Sequence, residues 1–283
     1  MELKDTVILA NRPEKHFVGS FYFKKIKEGI DLALEGSEYQ IFLSQQDKFF
    51  PNILSSKKSK IAGIIVLHPN IEDESVRLLE KNVGRNEFQS MLINCHSKKL
   101  SWVDLDNVHG AMTMTEHLIK LGHEKILFVG GFHESQNTVD RYLGFKRALE
   151  KHKIEFNPKL MITCDFSITL AYERMKEFLQ INKNNFTAIF ASNDLMAIGA
   201  IRALIDEKIK VPEDIAVVGF DDFAFASSFY IPLTTYKQPF KNLGFVAARN
   251  LIKNINNRNH HHTETEMIGE IVVRDSCGAH KNL

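Results

Sequence analysis

Short apolar runs rich in branched residues alternate along this chain with longer segments whose apolar residues recur every three or four positions. TVILA (6 to 10), YQIFL (39 to 43), AGIIVL (62 to 67), SMLINC (90 to 95), KILFVGG (125 to 131), LMITC (160 to 164), TAIFA (187 to 191) and DIAVVGF (214 to 220) read as strands. Several are apolar throughout, the mark of strands buried on both faces, as parallel strands covered by helices are. Between them FKKIKEGIDLALEG, VHGAMTMTEHLIKLG, YLGFKRALEKH, LAYERMKEFLQI and DLMAIGAIRALIDEK have the helical period and read as crossover helices. The alternation predicts an α/β fold with doubly wound parallel sheets. Gly36 and Gly122 stand where helices end, and Asn193 and Asp194 stand where one begins. NINNRNHHHTETE (254 to 266), between a helical run and a final strand EIVVRD, reads as a polar surface loop.

Composition changes this picture little. At 283 residues the chain is long enough for two cores, and 44% hydrophobic with 25% charged residues is ordinary for a soluble protein. Thirty-six basic against thirty-five acidic side chains leave +1, so the segment has no general attraction for nucleic acid or anionic lipid. Cys95, Cys164 and Cys277 are too far apart for a zinc site or a disulfide framework, which suits a reducing cytoplasm. The first residues do not form a secretory signal, and no run approaches the ~18 apolar residues that span a bilayer. Glycine-rich nucleotide loops are absent, so no cofactor is expected.

In open parallel sheets, ligands gather beyond the carboxyl ends of the strands. Asn94, Asp165, Asn193 with Asp194, and Asp221 with Asp222 all follow strands, and Arg141 starts the helix after KILFVGG. Phe166, Tyr22 and Phe240 lie beside such residues. Adjacent carboxylates at a strand end point in different directions, which disfavours paired acid and base catalysis. A nucleophile elbow is missing, the acidic pairs sit at separate strand ends, and His260, His261 and His262 lie in a polar stretch that favours solvation. No catalytic residue and no metal site is therefore assigned. Recognition remains: carboxylates accept from neighbouring hydroxyls, amides donate and accept, and arginine offers a fork of donors, a set suited to a polyhydroxy ligand. For Asp221 and Asp222 the alternative is capping of the AFASS turn, and both roles are compatible. For Arg141 the alternative is a solvated ion pair at the helix start, where the dipole disfavours a cation.

Five stretches carry a resemblance: DNVHGAMTMTEHLIKLGHEKILFVGG (106 to 131), DRYLGFKRAL (140 to 149), TAIFASNDLMAIGAIRAL (187 to 204), KVPEDIAVVGFDDFAFASSFYIPLTTYKQP (210 to 239) and IVVRDSC (271 to 277). In this order they resemble the effector-binding core of the lac and galactose repressor regulators, a fold shared with type I periplasmic sugar-binding proteins. Upstream, SFYFKKIKEGI (20 to 30) is similar to the family's first helix. The resemblance implies two α/β subdomains, residues 1–105 with 239–267 and residues 106–238 with 268–283, joined by three chain crossings around a ligand cleft. It places the ligand-binding positions on Asn94, Arg141, Phe166, Asn193, Asp221 and Phe240, with Tyr22 added from the first helix; Asp194 and Asp222 become structural partners. The implied partners are a small sugar or polyol effector, a second copy in a homodimer, and DNA through a helix-turn-helix headpiece that does not precede TVILA; no membrane is involved. ANRPEKHFVGSFYF is longer and more basic than the usual connection, and Arg12, Lys15 or His16 would favour an anionic ligand. A headpiece-free sugar-sensing module, free-standing or fused to a signalling protein, and a sugar-processing enzyme are the alternatives.

Overall fold

A computed structural model of the protein describes residues 5–11, 18–45, 61–67, 74–81, 83, 88–133, 135–182, 185–257 and 261–279. The chain divides into two compact units, Met1–Leu105 with Pro239–Met267, and Asp106–Gln238 with Ile268–Leu283. Each combines parallel sheet with helices, the α/β architecture that the alternating pattern predicts.

In the first unit the strands are β1 (Asp5–Asn11), β2 (Tyr39–Gln45), β3 (Ile61–Leu67), β4 (Gln89–Ile93), β5 (Ser101–Leu105) and β11 (Glu264–Met267). They form one sheet in the order β11-β5-β4-β3-β1-β2, with every pairing parallel. After its first residue β3 is buried throughout, and β5 is buried along its whole length, as double-sided coverage demands. Helix α1 (Val18–Leu34) packs on α8 (Phe240–Asn257), and α8 also packs on β3, β4 and β5. Helix α2 (Glu74–Lys81) inserts Val76 and Leu79 into a core with Ile64, Val66, Leu92 and Trp102.

In the second unit β6 (Ile126–Gly130), β7 (Met161–Thr163), β8 (Ala188–Ala191) and β9 (Ala216–Val218) form a parallel sheet in the order β7-β6-β8-β9. A separate antiparallel ribbon pairs β10 (Thr235–Lys237) with β12 (Glu270–Val272). Helix α3 (Asn107–Lys120) packs on α4 (Gln136–Lys151), and α5 (Ile168–Asn182) packs on α6 (Asp194–Asp206). A short helix, α7 (Ala224–Ser228), follows β9. Both sheets place their first strand between the second and the third, so successive connections turn opposite ways beside the first strand. A crevice opens there at the carboxyl edge of such sheets.

Helix ends follow the expected chemistry. Gly36 and Gly122 take the left-handed conformation at φ 73° and 95°. Asn193 Oδ1 accepts from the Met196 N–H at 2.8 Å and caps α6. The stretch 254–266 is not simply a loop: it contains the end of α8 and the start of β11. Strand β11 pairs in parallel with β5, Thr265 opposite Val103. As an edge strand it alternates exposed glutamates with half-exposed Thr265 and Met267 and gives none of the apolar signal that marks the central strands. Among the described residues no helix is long and apolar enough to cross a membrane.

Candidate functional site

Arg141 is the sixth residue of α4 and 4% exposed, so it does not start the helix as an exposed cation. Removed from water, a guanidinium needs partners for its fixed fork of donors. Its Nε donates to Asn107 Oδ1 at 2.9 Å, and its Nη1 donates to the Ser192 carbonyl at 2.5 Å. The plane lies 4.0 Å from the centre of the Phe220 ring, and Nη1 stands 3.7 Å from Asp221 Oδ1. This places a cation at the carboxyl ends of β8 and β9, held by an amide, a carbonyl, an aromatic face and a carboxylate.

Asp221 is 6% exposed. Burial pushes its carboxyl up to about 7, against the opposing pull of Arg141 and of the Gln238 amide, which donates to Oδ1 at 2.5 Å. Its backbone lies at φ 125°, and Asp222 follows at φ 56°. Non-glycine residues in this region cost roughly 1–3 kcal/mol each and persist where surrounding bonds hold them. Here the Asp221 N–H donates to the Tyr236 carbonyl at 2.8 Å. Asp222 turns away to an ion pair with Arg274 at 2.6 Å. Neither caps α7: the Phe223 N–H at its start donates to Asp194 Oδ2 at 3.0 Å, while Thr235 Oγ1–H donates to Asp194 Oδ1 at 2.5 Å. The fully buried Asp194 is raised well above the carboxylate range by burial and then by Asp221. A carboxylate 29 positions earlier in the chain thus holds the residue that leads into α7, in place of the capping expected of the Asp pair.

Asn193 Nδ2 donates to the Phe166 carbonyl at 3.3 Å, so the cap of α6 also fixes the loop after β7. Phe166, half-buried at φ 64°, meets Phe132 edge to face with ring centres 5.9 Å apart. Asp165 accepts from the Ser167 N–H and hydroxyl, which orders the same turn. A Cβ on Gly131 would sit 2.2 Å from the Phe166 ring, so glycine is required for the ring to lie on this backbone. Gly131→Val is expected to displace Phe166 and destabilise the fold by about 1–3 kcal/mol, measured by urea denaturation; an unchanged midpoint would contradict this packing argument.

Three of the expected positions belong to the first unit. Tyr22 and Phe240, both buried, meet edge to face at 5.2 Å. Asn94, at φ 59°, follows β4, and its N–H donates to the Val103 carbonyl at 3.1 Å. Arg12, Lys15, His16 and His260 lie outside the described residues. Among the described residues no group of three or more histidine, cysteine or acidic side chains is arranged to hold a metal. Cys95, Cys164 and Cys277 are buried free thiols, and burial pushes Cys164 up to about 12, far from an activated thiolate. Asn107, Ser192, Phe220 and Gln238 complete the cluster around Arg141 and Asp221. Asn107 and Gln238 were legible only as polar residues near an N-cap aspartate and a proline.

Helix-covered parallel sheets, with a guanidinium, a carboxylate and amides at the strand ends of the second unit, define an α/β protein of the class whose strand ends take ligands. A family model described as a periplasmic binding protein-like domain matches residues 115–277. The chain is 30% identical over 268 residues to the HTH-type transcriptional regulator RegA of Clostridium saccharobutylicum, covering 92% of this chain and 79% of that protein. It is 28% identical to the HTH-type transcriptional repressor PurR of Aliivibrio fischeri, covering 90% of this chain and 77% of the repressor. Among solved structures it is similar to a transcriptional regulator CelR–cellobiose complex, with TM-score 0.87 and 25% identity over 96% of this chain and 84% of that one. A LacI regulator structure from Bacillus cereus subsp. cytotoxis superposes with TM-score 0.85 at 26% identity, covering 97% of this chain and 98% of that one. The chain belongs to the periplasmic binding protein-like family, as an effector-binding core of the LacI/GalR type. These relatives are transcriptional regulators rather than enzymes.

Proposed function

We propose that this core senses a small, sugar-like, uncharged effector and passes its occupancy to DNA binding, without catalysing a reaction. The observation that carries the reading is the buried Arg141–Asp221 pair at the carboxyl ends of the second unit's strands, flanked by Asn193 and Phe166. Guanidinium and carboxylate together offer donors and acceptors to vicinal hydroxyls, and an aromatic face suits the C–H side of a sugar ring. The CelR relative bound to cellobiose supports the same class of ligand. Asn94, Tyr22 and Phe240 are the first unit's candidate contacts, and a ligand shifts the protein's equilibrium only through differential affinity for its states.

A homodimer, with DNA contacted through a helix-turn-helix headpiece and the protein acting in the cytoplasm, completes the proposal. Thermal-shift screening against sugars, sugar phosphates, polyols and nucleobases is expected to find its largest stabilisation among neutral sugars, since binding to the native state raises stability by mass action. Arg141→Ala and Asp221→Asn, judged on folded protein, are expected to abolish that shift. A best ligand whose shift survives both substitutions would overturn the site, and turnover of a glycoside would overturn the non-enzymatic reading.

A further inference from the structure

The chain passes between its two units at Leu105/Asp106, Gln238/Pro239 and Met267/Ile268. On the second unit's side each passage is tied, within two residues, to one buried cluster. Just past the first, Asn107 Oδ1 accepts from Arg141 Nε at 2.9 Å. At the second, Gln238 Nε2 donates to Asp221 Oδ1 at 2.5 Å, and that carboxylate stands 3.7 Å from Arg141. Just past the third, the Gly269 N–H donates to the Tyr236 hydroxyl at 2.9 Å. Tyr236 stacks on Phe220 with ring centres 4.9 Å apart, and Phe220 carries the Arg141 guanidinium.

There is no slack in this cluster. A Cβ on Gly110, one turn along α3 from Asn107, would lie 2.7 Å from the Tyr236 ring and 2.8 Å from the Phe220 ring. Tyr236 is 1% exposed and Phe220 fully buried. In a close-packed interior, a displaced aromatic ring or a turned guanidinium must be answered by its neighbours, because a void or an unpaired buried charge is costly. A contiguous packed network with a charge pair at its centre is the physical form that coupling between separated segments takes.

We propose that Asn107, Tyr236 and Gln238 are positioning residues that couple the Arg141–Asp221 pair to all three passages of the chain, so that engagement of the pair by a ligand resets the passages together. The ligand half of this statement rests on the function proposed above; the coupling half does not. Three independent local bonds are the opposing description, and they differ in what happens far from a substitution.

The test is amide hydrogen exchange on the full chain without ligand. Asn107→Ala removes the acceptor of Arg141 Nε. Coupling predicts that the amides of Gln238 and Gly269 exchange roughly threefold faster or more, while Ala171 in α5 keeps its rate. Tyr236→Phe removes one hydroxyl with little change in shape and serves if the first variant does not fold. It is expected to speed exchange at Gly269 and, by reciprocity, at Gln238 and Gly110, with Ala171 again unchanged. Acceleration confined to the direct partners of the substituted residue, or spread equally to Ala171, overturns the proposal. A coupled exchange pattern in a protein that no sugar stabilises would leave the relay standing and remove the ligand assignment instead.

Discussion

Arg141→Ala is expected to destabilise the folded chain by about 3–5 kcal/mol near pH 8 and by distinctly less near pH 6. The substitution deletes donors to Asn107 and to the Ser192 carbonyl and takes the cation off the Phe220 face. Its main effect falls on Asp221, which is left buried without its nearby positive charge. An isolated carboxylate in the interior is costly, but this one has a cheaper course at low pH: it binds a proton. Burial already pushes the Asp221 carboxyl to about 7 with Arg141 present, and losing the cation moves it further up. Near pH 6 the folded variant therefore holds Asp221 neutral, and the residual loss is hydrogen bonding and packing. Near pH 8 it must either keep an unpaired charge or draw a proton from dilute solution. Urea denaturation at the two pH values measures the difference. Adding Asp221→Asn to the variant is expected to recover part of the loss near pH 8 and little near pH 6. An equal cost at both pH values would show that Asp221 does not respond to Arg141.

Backbone periodicity carried most of the fold into the sequence. The strands β3, β6 and β8 are continuous apolar runs because helices cover both faces, and that burial is visible as composition. Strand β11 is the opposite case: ETEM lies at a sheet edge, its residues alternate between exposed and half-exposed, and nothing in it distinguishes a strand from a polar loop. The candidate site was legible as a set of short polar residues following strands, since that position depends on local order. What each side chain touches depends on tertiary neighbours. Asp194 looked like a partner of its own helix start, yet it accepts from Phe223 and Thr235, brought near by β9 and β10. Sequence order places Arg141 at a helix start as a candidate ligand contact, with a solvated ion pair as the alternative; its bonds to Asn107 and Ser192, each more than thirty positions away in sequence, are set by the tertiary fold. Gln238 is marked in the sequence only as a polar residue before Pro239. Its role is set by the positive-φ turn at Asp221, a conformation that sequence pattern does not reveal for an aspartate.

Asp221→Asn alone is expected to change the pH dependence of stability in a defined direction. In the unfolded chain an aspartate titrates near 4, whereas in the fold burial holds the Asp221 proton up to about 7. Between these values the native state binds more protons than the unfolded state, so this group's contribution to stability is complete below about pH 4 and is lost as pH rises through about 7. Asparagine has no such proton. Measured against the wild-type protein, the variant should therefore gain stability as pH is raised from about 5 to about 8, by about 3 kcal/mol from this group. His117 and His123, both lowered by burial, impose the opposite trend, but they are present in both proteins and cancel in the difference. Asp194 is raised in the same direction as Asp221, partly by the charge of Asp221 itself. Removing that charge eases Asp194 downward, which adds to the variant's relative gain at high pH. Gln238 and Arg141 both approach Oδ1 of Asp221, so an asparagine carbonyl in that place keeps the Gln238 bond, and what the variant loses at every pH where Asp221 is ionised is the attraction of its charge to Arg141. The slope of the stability difference, rather than its value at one pH, is thus the informative quantity, obtained from urea midpoints at intervals across the range. A flat difference would mean that Asp221 is ionised throughout in the native state, with the Arg141 attraction outweighing burial, and the buried pair would then be a permanent ion pair.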